Sequence, residues 1–210
     1  MRNGIRGFYR RYGKRICDIL LVLVLSAPAL ILVAACYLAI KIETRGPAFF
    51  VQKRPGKNGV IFSIYKLRTM IVVTERDGKA LTDVERMTKT GRVIRALSLD
   101  ELPQLWNILI GQMSFIGPRP LLVQYLPLYT QEQSRRHEVL PGISGWAQVN
   151  GRNELTWEDK FHHDVWYVDN VSAGLDLRIV FLTVWNVLHR NGINSGVNET
   201  MEAFKGSSTK

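Results

Sequence analysis

The chain has 210 residues, with 28 Lys and Arg against 18 Asp and Glu and a net charge of +10. That length holds one anchoring element and one compact domain and excludes a second large domain. With only two cysteines a disulfide framework is excluded, and the positive excess points to a polyanionic partner: nucleic acid, an anionic lipid surface or a phosphorylated substrate.

The first element in chain order is an uncharged apolar run from Ile19 to Ile40. As a straight helix it would measure roughly 33 Å against a hydrocarbon core of about 30 Å. A cleaved signal peptide has a shorter apolar core and a small-residue cleavage site, so that reading fits poorly. Cys17 and Cys36 would lie about 28 Å apart on such a helix, beyond disulfide reach, and are expected to be reduced. Basic residues flank both ends: Arg2, Arg6, Arg10, Arg11, Lys14 and Arg15 before, Lys41, Arg45, Lys53, Arg54 and Lys57 after. A crossing helix can place only one Lys/Arg-rich flank in the cytoplasm. Pro28, which lacks an N–H and crowds the preceding turn, marks a bend, and Ser26 can bond a carbonyl exposed there. The residues leave two geometries open, a spanning helix with a tolerated proline and a broken helix that enters one leaflet and returns.

PAFFVQ and VIFSIYKLRTM, separated by KRPGKNG, predict a β-hairpin between Gly46 and Ile64. Residues 71 to 90 are polar and read as a loop with a turn at Asp77-Gly78, leading into a short helix. From Thr90 to Met113 the pattern is helical, with Leu102, Leu105, Ile108 and Leu109 on one apolar face. A GPRP turn, Gly117 to Pro120, precedes a helix expected from Leu121 to Arg136, and a glycine-rich stretch runs from Pro141 to Asn153. The helix expected over Leu175 to Arg190 suits either a bilayer interface or a protein core. The tail from Asn191 is polar and expected to be loose. The domain division read from this pattern is 1–41 for the basic flank and membrane helix, 42–190 for the catalytic domain and 191–210 for the tail.

Asp100 and Glu101 open a helix in basic surroundings. Ser98 to Glu101 matches the S-x-x-E capping box, which makes the carboxylates structural, although Pro103 favours a helix start at Asp100. At either start they sit where the helix dipole favours anions. Arg92, Arg95, Arg119 and Arg152 are candidate phosphate ligands. Arg119 is the best of them, because its flanking prolines fix the backbone and a guanidinium grips two phosphate oxygens. Gly142, Gly145 and Gly151 can admit backbone amides to a diphosphate, and Trp146 can stack on a base. His162-His163, His137 and His189 lack metal-ligand spacing, which argues against zinc. Magnesium needs only one or two carboxylates, which Asp100, Glu101 and Asp176 can supply.

Taken together, LSLDEL, GQMSFIGPRPL, PGISGWAQVNGRN, DVWYVDNVS and LDLRIVFLT resemble the bacterial sugar transferase family, specifically the small monotopic phosphoglycosyl transferases. The resemblance runs from about Arg15 to His189. It implies transfer of a phospho-sugar from a UDP-sugar to polyprenol (undecaprenyl) phosphate at the cytoplasmic face of the bacterial inner membrane, with release of UMP. By this resemblance Asp100 is the nucleophile of an aspartyl-phosphosugar intermediate, and Glu101 supports a magnesium ion or the incoming lipid phosphate. Lys66, Arg95, Arg119, Arg152 and Asp176 match substrate-facing positions. The resemblance also implies an α+β fold: a re-entrant broken membrane helix, a small hairpin and amphipathic interfacial helices around a compact catalytic domain.

Two positions depart from the family pattern. Ala27 separates Ser26 from Pro28 where relatives have them adjacent, and Gln112 stands where an acidic residue is usual. Expected partners are the UDP-sugar, of an N-acetylated amino-sugar type, the polyprenol phosphate, membrane lipids and later glycosyltransferases. Nucleic acid is not expected. The alternative is a membrane-anchored basic binding or scaffold protein without catalysis.

Overall fold

In a computed structural model the chain is described at residues 7–76, 78–151, 155–189 and 203–207. A π-helical turn, Tyr9–Gly13, leads into a continuous helix α1, Lys14–Glu43, which carries Pro28 in its interior. Ser26 Oγ donates to the carbonyl of Val22 at 2.5 Å, a bond back to residue i−4 of the kind that bends helices. Leu23, Val24, Leu30 and Ile31 on this helix are each more than 60% exposed. Apolar surface on that scale is driven out of water, so α1 calls for a non-aqueous environment. Its length and composition suffice to cross a membrane. Cys17 and Cys36 are both free thiols, as expected.

The expected hairpin forms from β1, Phe49–Pro55, and β2, Ile61–Leu67, joined by a 3-10 turn over Lys57–Gly59. The next stretch is more ordered than a loop. β3, Glu75–Arg76, pairs antiparallel with β4, Lys79–Ala80, and α2, Asp83–Arg86, is closed by a reciprocal Thr82–Glu85 capping box. α3, Lys89–Ala96, starts at the Thr88 cap.

The single helix expected from Thr90 to Met113 is two. Ser98 adopts a left-handed conformation, φ 55°, and turns the chain out of α3 into a 3-10 turn, Leu99–Glu101, before α4 begins at Gln104–Leu109. The Ser98 side chain makes no cap bond, so the capping box expected there does not form. The buried face of α4 also differs from expectation. Gln104, Asn107 and Ile108 are inside, while Leu109 and Trp106 are exposed.

After β5, Ser114–Ile116, the expected helix over 121–136 is replaced by 3-10 turns, Val123–Leu128 and Arg135–Glu138, around one turn of α5, Gln131–Ser134. Pro127 and the capping box at Thr130 explain the interruption. β6, Gly142–Ser144, pairs parallel to β5 with Ser114 opposite Gly142 and Ile116 opposite Ser144. Three helices follow: α6, Trp146–Val149, α7, Trp157–Asn170, and α8, Ala173–Leu188. α8 buries Asp176 and Ile179 but exposes Leu177, Phe181, Val184, Trp185 and Leu188. That exposure argues against plain core packing. The tail differs from expectation where it is described, since Phe204 is buried among aromatic rings.

The chain divides into two compact units, Met1–Leu20 with Lys53–Phe62 and Ile108–Lys210, and Leu21–Gln52 with Ser63–Asn107. The core of the second comprises Cys36, Ile40, Ala48, Leu67 and Ile94, with Val33 and Leu99 packed on it. Within that unit the Glu43 carboxylate accepts from the N–H groups of Lys89 and Thr90 at 2.8 Å each, tying the end of α1 to the start of α3. α3 also approaches the chain after β2 closely. A Cβ on Gly91 would stand 1.9 Å from the carbonyl oxygen of Thr69. Ala favours helix over Gly by about 1 kcal/mol, but a backbone clash of this size outweighs it. Gly91→Ala is therefore expected to destabilise the chain by about 1–3 kcal/mol, read as a lowered thermal midpoint. An unchanged or raised midpoint would show that the approach is looser than described.

Candidate active site

In the second unit three ionisable side chains meet. Lys66, near the end of β2, places its Nζ 2.8 Å from Glu101 Oε1 and 3.9 Å from Asp100 Oδ2. The meeting follows from how the elements are fastened. The Asn107 side chain, fully buried on α4, donates to the carbonyl of Ser63 at 2.8 Å and accepts from the N–H of Tyr65 at 3.3 Å. It thereby completes an edge of β2 as another strand would, and holds α4 with its preceding turn against the strand that carries Lys66. Leu67 and Leu99, the neighbours of Lys66 and Asp100, pack in one apolar cluster. Asn107 is absent from the sequence reading because an Asn inside a helical pattern reads as solvent-facing. Its placement two turns after an acidic pair was the available signal.

The two carboxylates are unequal. Glu101 makes the direct charge-assisted bond to Lys66, while Asp100 sees the ammonium at longer range. Arg95 is exposed in the last turn of α3, four residues before Leu99. Among the described residues no cluster of three or more His, Cys, Asp or Glu surrounds a metal position. A magnesium ion held by two carboxylates and otherwise by water and substrate phosphate fits the adjacent pair Asp100 and Glu101.

Arg92 is likewise exposed on α3, Arg119 and Asp176 lie in the first unit, and Arg152 falls outside the described residues. Arg119 is exposed between buried Pro118 and Pro120. Its carbonyl accepts from Arg136 at 2.8 Å, and its own guanidinium reaches the carbonyl of Ile143 at 3.5 Å. Arg136 is itself buried and held by Asp164 through Nε at 3.0 Å and Nη2 at 2.6 Å. Burial pushes the Asp164 carboxyl upward against the opposing pull of Arg136. Removing one partner of such a pair typically costs about 3–5 kcal/mol. Beside it, burial and the Arg136 charge push His137 down to about 4, so the ring stays neutral at physiological pH next to the Gly56 carbonyl, 3.1 Å from Nδ1.

Asp176 was expected to face substrate, and the structure places it among protein donors. Its Oδ2 accepts from Tyr9 at 2.7 Å and Lys14 at 2.6 Å, and its Oδ1 from Tyr167 at 2.7 Å. This joins α8 to the segment entering α1. Two of the glycines expected at a diphosphate, Gly142 and Gly145, are packed against backbone. A Cβ on Gly142 would lie 2.1 Å from the Gly117 nitrogen, and one on Gly145 2.2 Å from the Gly117 oxygen. Trp146, expected to stack on a base, stacks on Trp166 at 5.0 Å with Arg178 over its ring.

The family model for bacterial sugar transferases matches residues 9–190, which include both units' site residues. The chain belongs to the bacterial sugar transferase family. It is 50% identical to the uncharacterized sugar transferase EpsL of Bacillus subtilis, over 92% of this chain and 96% of the relative. The UDP-glucose:undecaprenyl-phosphate glucose-1-phosphate transferase of Klebsiella pneumoniae is 41% identical over 87% of this chain. The UDP-N-acetylgalactosamine-undecaprenyl-phosphate N-acetylgalactosaminephosphotransferase of Aeromonas hydrophila is 41% identical over 83%. This sugar transferase chain spans 41% and 43% of those two longer proteins.

Proposed function

We propose that the chain is a phosphoglycosyl transferase that moves a phospho-sugar from a UDP-sugar to polyprenol phosphate and so begins the assembly of a bacterial glycoconjugate. The observation that carries this reading is the pairing of Lys66 with the adjacent carboxylates Asp100 and Glu101, in a chain of this family. An Asp100 carboxylate oxygen attacks the phosphorus that bears the sugar. The bond to the bridging diphosphate oxygen breaks, and UMP leaves. An oxygen of polyprenol phosphate then attacks the same phosphorus, forming the polyprenol diphosphosugar and restoring the Asp100 carboxylate. One displacement becomes two, with no base needed to activate an ionised nucleophile.

Lys66 holds Glu101 in place and lends positive charge near the reacting phosphorus. Arg119, on its proline-fixed backbone, grips diphosphate oxygens. Arg95 offers a cation to the lipid phosphate. Asp176 has an anchoring role, since its oxygens already serve Tyr9, Lys14 and Tyr167. Magnesium, when bound at Asp100 and Glu101, would neutralise charge on the phosphoryl oxygens. The transferred group is read as an N-acetylated amino sugar, the type named for the Aeromonas relative, with glucose, named for the equally identical Klebsiella relative, as the alternative.

For topology we favour the re-entrant form, with both ends of α1 on the cytoplasmic face. The basic residues on both flanks and a soluble nucleotide substrate support it, and it requires α1, continuous through Pro28 here, to break at that proline in the bilayer. The exposed apolar side chains of α8 would lie in the interface.

Two experiments test these proposals. Asp100→Asn is expected to lower UMP release from UDP-sugar and polyprenol phosphate by at least about 10³-fold with the thermal midpoint retained. Release at the native rate would remove Asp100 as nucleophile. Single cysteines introduced in a Cys17→Ser, Cys36→Ser background at Gly7 and Val60 are expected to react with an impermeant reagent from the same side of inside-out vesicles. Opposite-side labelling would establish a crossing helix.

A further inference from the structure

The C-terminal segment 203–207 lies beyond residue 190, where the family match ends, yet it is built into the fold. Phe204 is only 4% exposed. Its ring meets Phe161 edge-on at 5.0 Å, Tyr125 edge-on at 5.8 Å, Trp157 at 5.5 Å and Tyr129 in a stacked contact at 6.0 Å. A second fastening follows three residues on, where Gln133 Nε2 donates to Ser207 Oγ at 2.6 Å.

The cage that receives Phe204 touches the support of Arg119. The Arg136 guanidinium lies over the rings of Tyr129, at 5.8 Å, and Phe161, at 5.7 Å, and Nη1 donates to the Tyr129 hydroxyl at 3.3 Å. Through Nη2 the same guanidinium holds the Arg119 carbonyl. Phe204 thus packs on the two rings that lie side by side, 5.3 Å apart, against Arg136. Removing it would open a cavity beside them, and rings that lose a packing partner shift toward the void.

We propose that residues 203–207 form a strap and that Phe204 is a positioning residue for Arg119, acting through Tyr129, Phe161 and Arg136 on diphosphate binding. The proposal rests on the role given to Arg119 above. It is specific about which kinetic quantity responds. The contacts from Phe204 lead to Arg119, whose proposed role is to grip the diphosphate, so the strap bears on nucleotide binding more than on the chemical step.

The test uses the full chain in detergent, with UDP as the probe for calorimetric binding, UMP release for kinetics and the thermal midpoint as control. Phe204→Ala is expected to weaken UDP binding and raise the KM for UDP-sugar by about tenfold, with kcat within about twofold of native. Phe204→Leu, which refills much of the volume, is expected to fall between the two. If Phe204→Ala fails to fold, Phe204→Leu carries the test. UDP affinity unchanged in whichever of the two variants folds, or a lowered midpoint and kcat without a change in KM, overturns the strap's role and leaves the proposed reaction standing. A native chain that releases UMP from no UDP-sugar and binds no UDP removes both.

Discussion

One apolar cluster couples the long helix to the reactive side chains. Cys36 and Ile40 come from α1, Leu67 follows Lys66 on β2, and Leu99 precedes Asp100. Burying side chains of this size is worth about 1.5–3 kcal/mol each, so moving α1 relative to the turn at Asp100 would cost several contacts at once. Whatever depth the environment of α1 imposes is passed to the carboxylates through these residues. For the proposed reaction between a soluble nucleotide and a lipid phosphate that coupling matters, because the proposed nucleophile must sit where both can reach it.

The polar fastenings within this unit have the same effect by different chemistry. Asn107 occupies hydrogen-bonding groups on the edge of β2 that would otherwise need water or a strand, and Glu43 satisfies the first N–H groups of α3. Gly91 lets α3 come close enough for Thr88 to bond the Thr69 carbonyl. In the other unit, backbone packing of Gly117 against Gly142 and Gly145 sets the approach of β5 and β6, and the Arg136–Asp164 pair holds the backbone of Arg119. Both units spend buried polar groups on placing a few side chains, an expensive arrangement unless placement matters.

Much of this was legible in the sequence where composition and period carry the signal. The α1 run, the hairpin around KRPGKNG and the α8 helix follow from apolar runs, turn residues and helical spacing. The family resemblance named Lys66, Asp100 and Glu101 as site residues but did not pair them, since nothing in the pattern relates residues so far apart. The break at Ser98 was hidden because a single serine in the left-handed conformation leaves no mark on a continuous helical pattern. The buried face of α4 was misread because a free strand edge selects Asn107, while exposed Trp106 and Leu109 satisfy no aqueous rule. Gly142 and Gly145 looked like a ligand loop because close approach to a phosphate and close approach to another peptide require the same missing side chain. Phe204 gave only a lone aromatic in a polar tail.

The covalent role of Asp100 is most directly tested by intact mass spectrometry of the native chain incubated with UDP-sugar in the absence of polyprenol phosphate. The account predicts a mass gain equal to one phospho-sugar, located to Asp100 by peptide mapping and discharged when polyprenol phosphate is added. UMP release that requires the acceptor from the outset, with no adduct on the chain or with one on another residue, would contradict it.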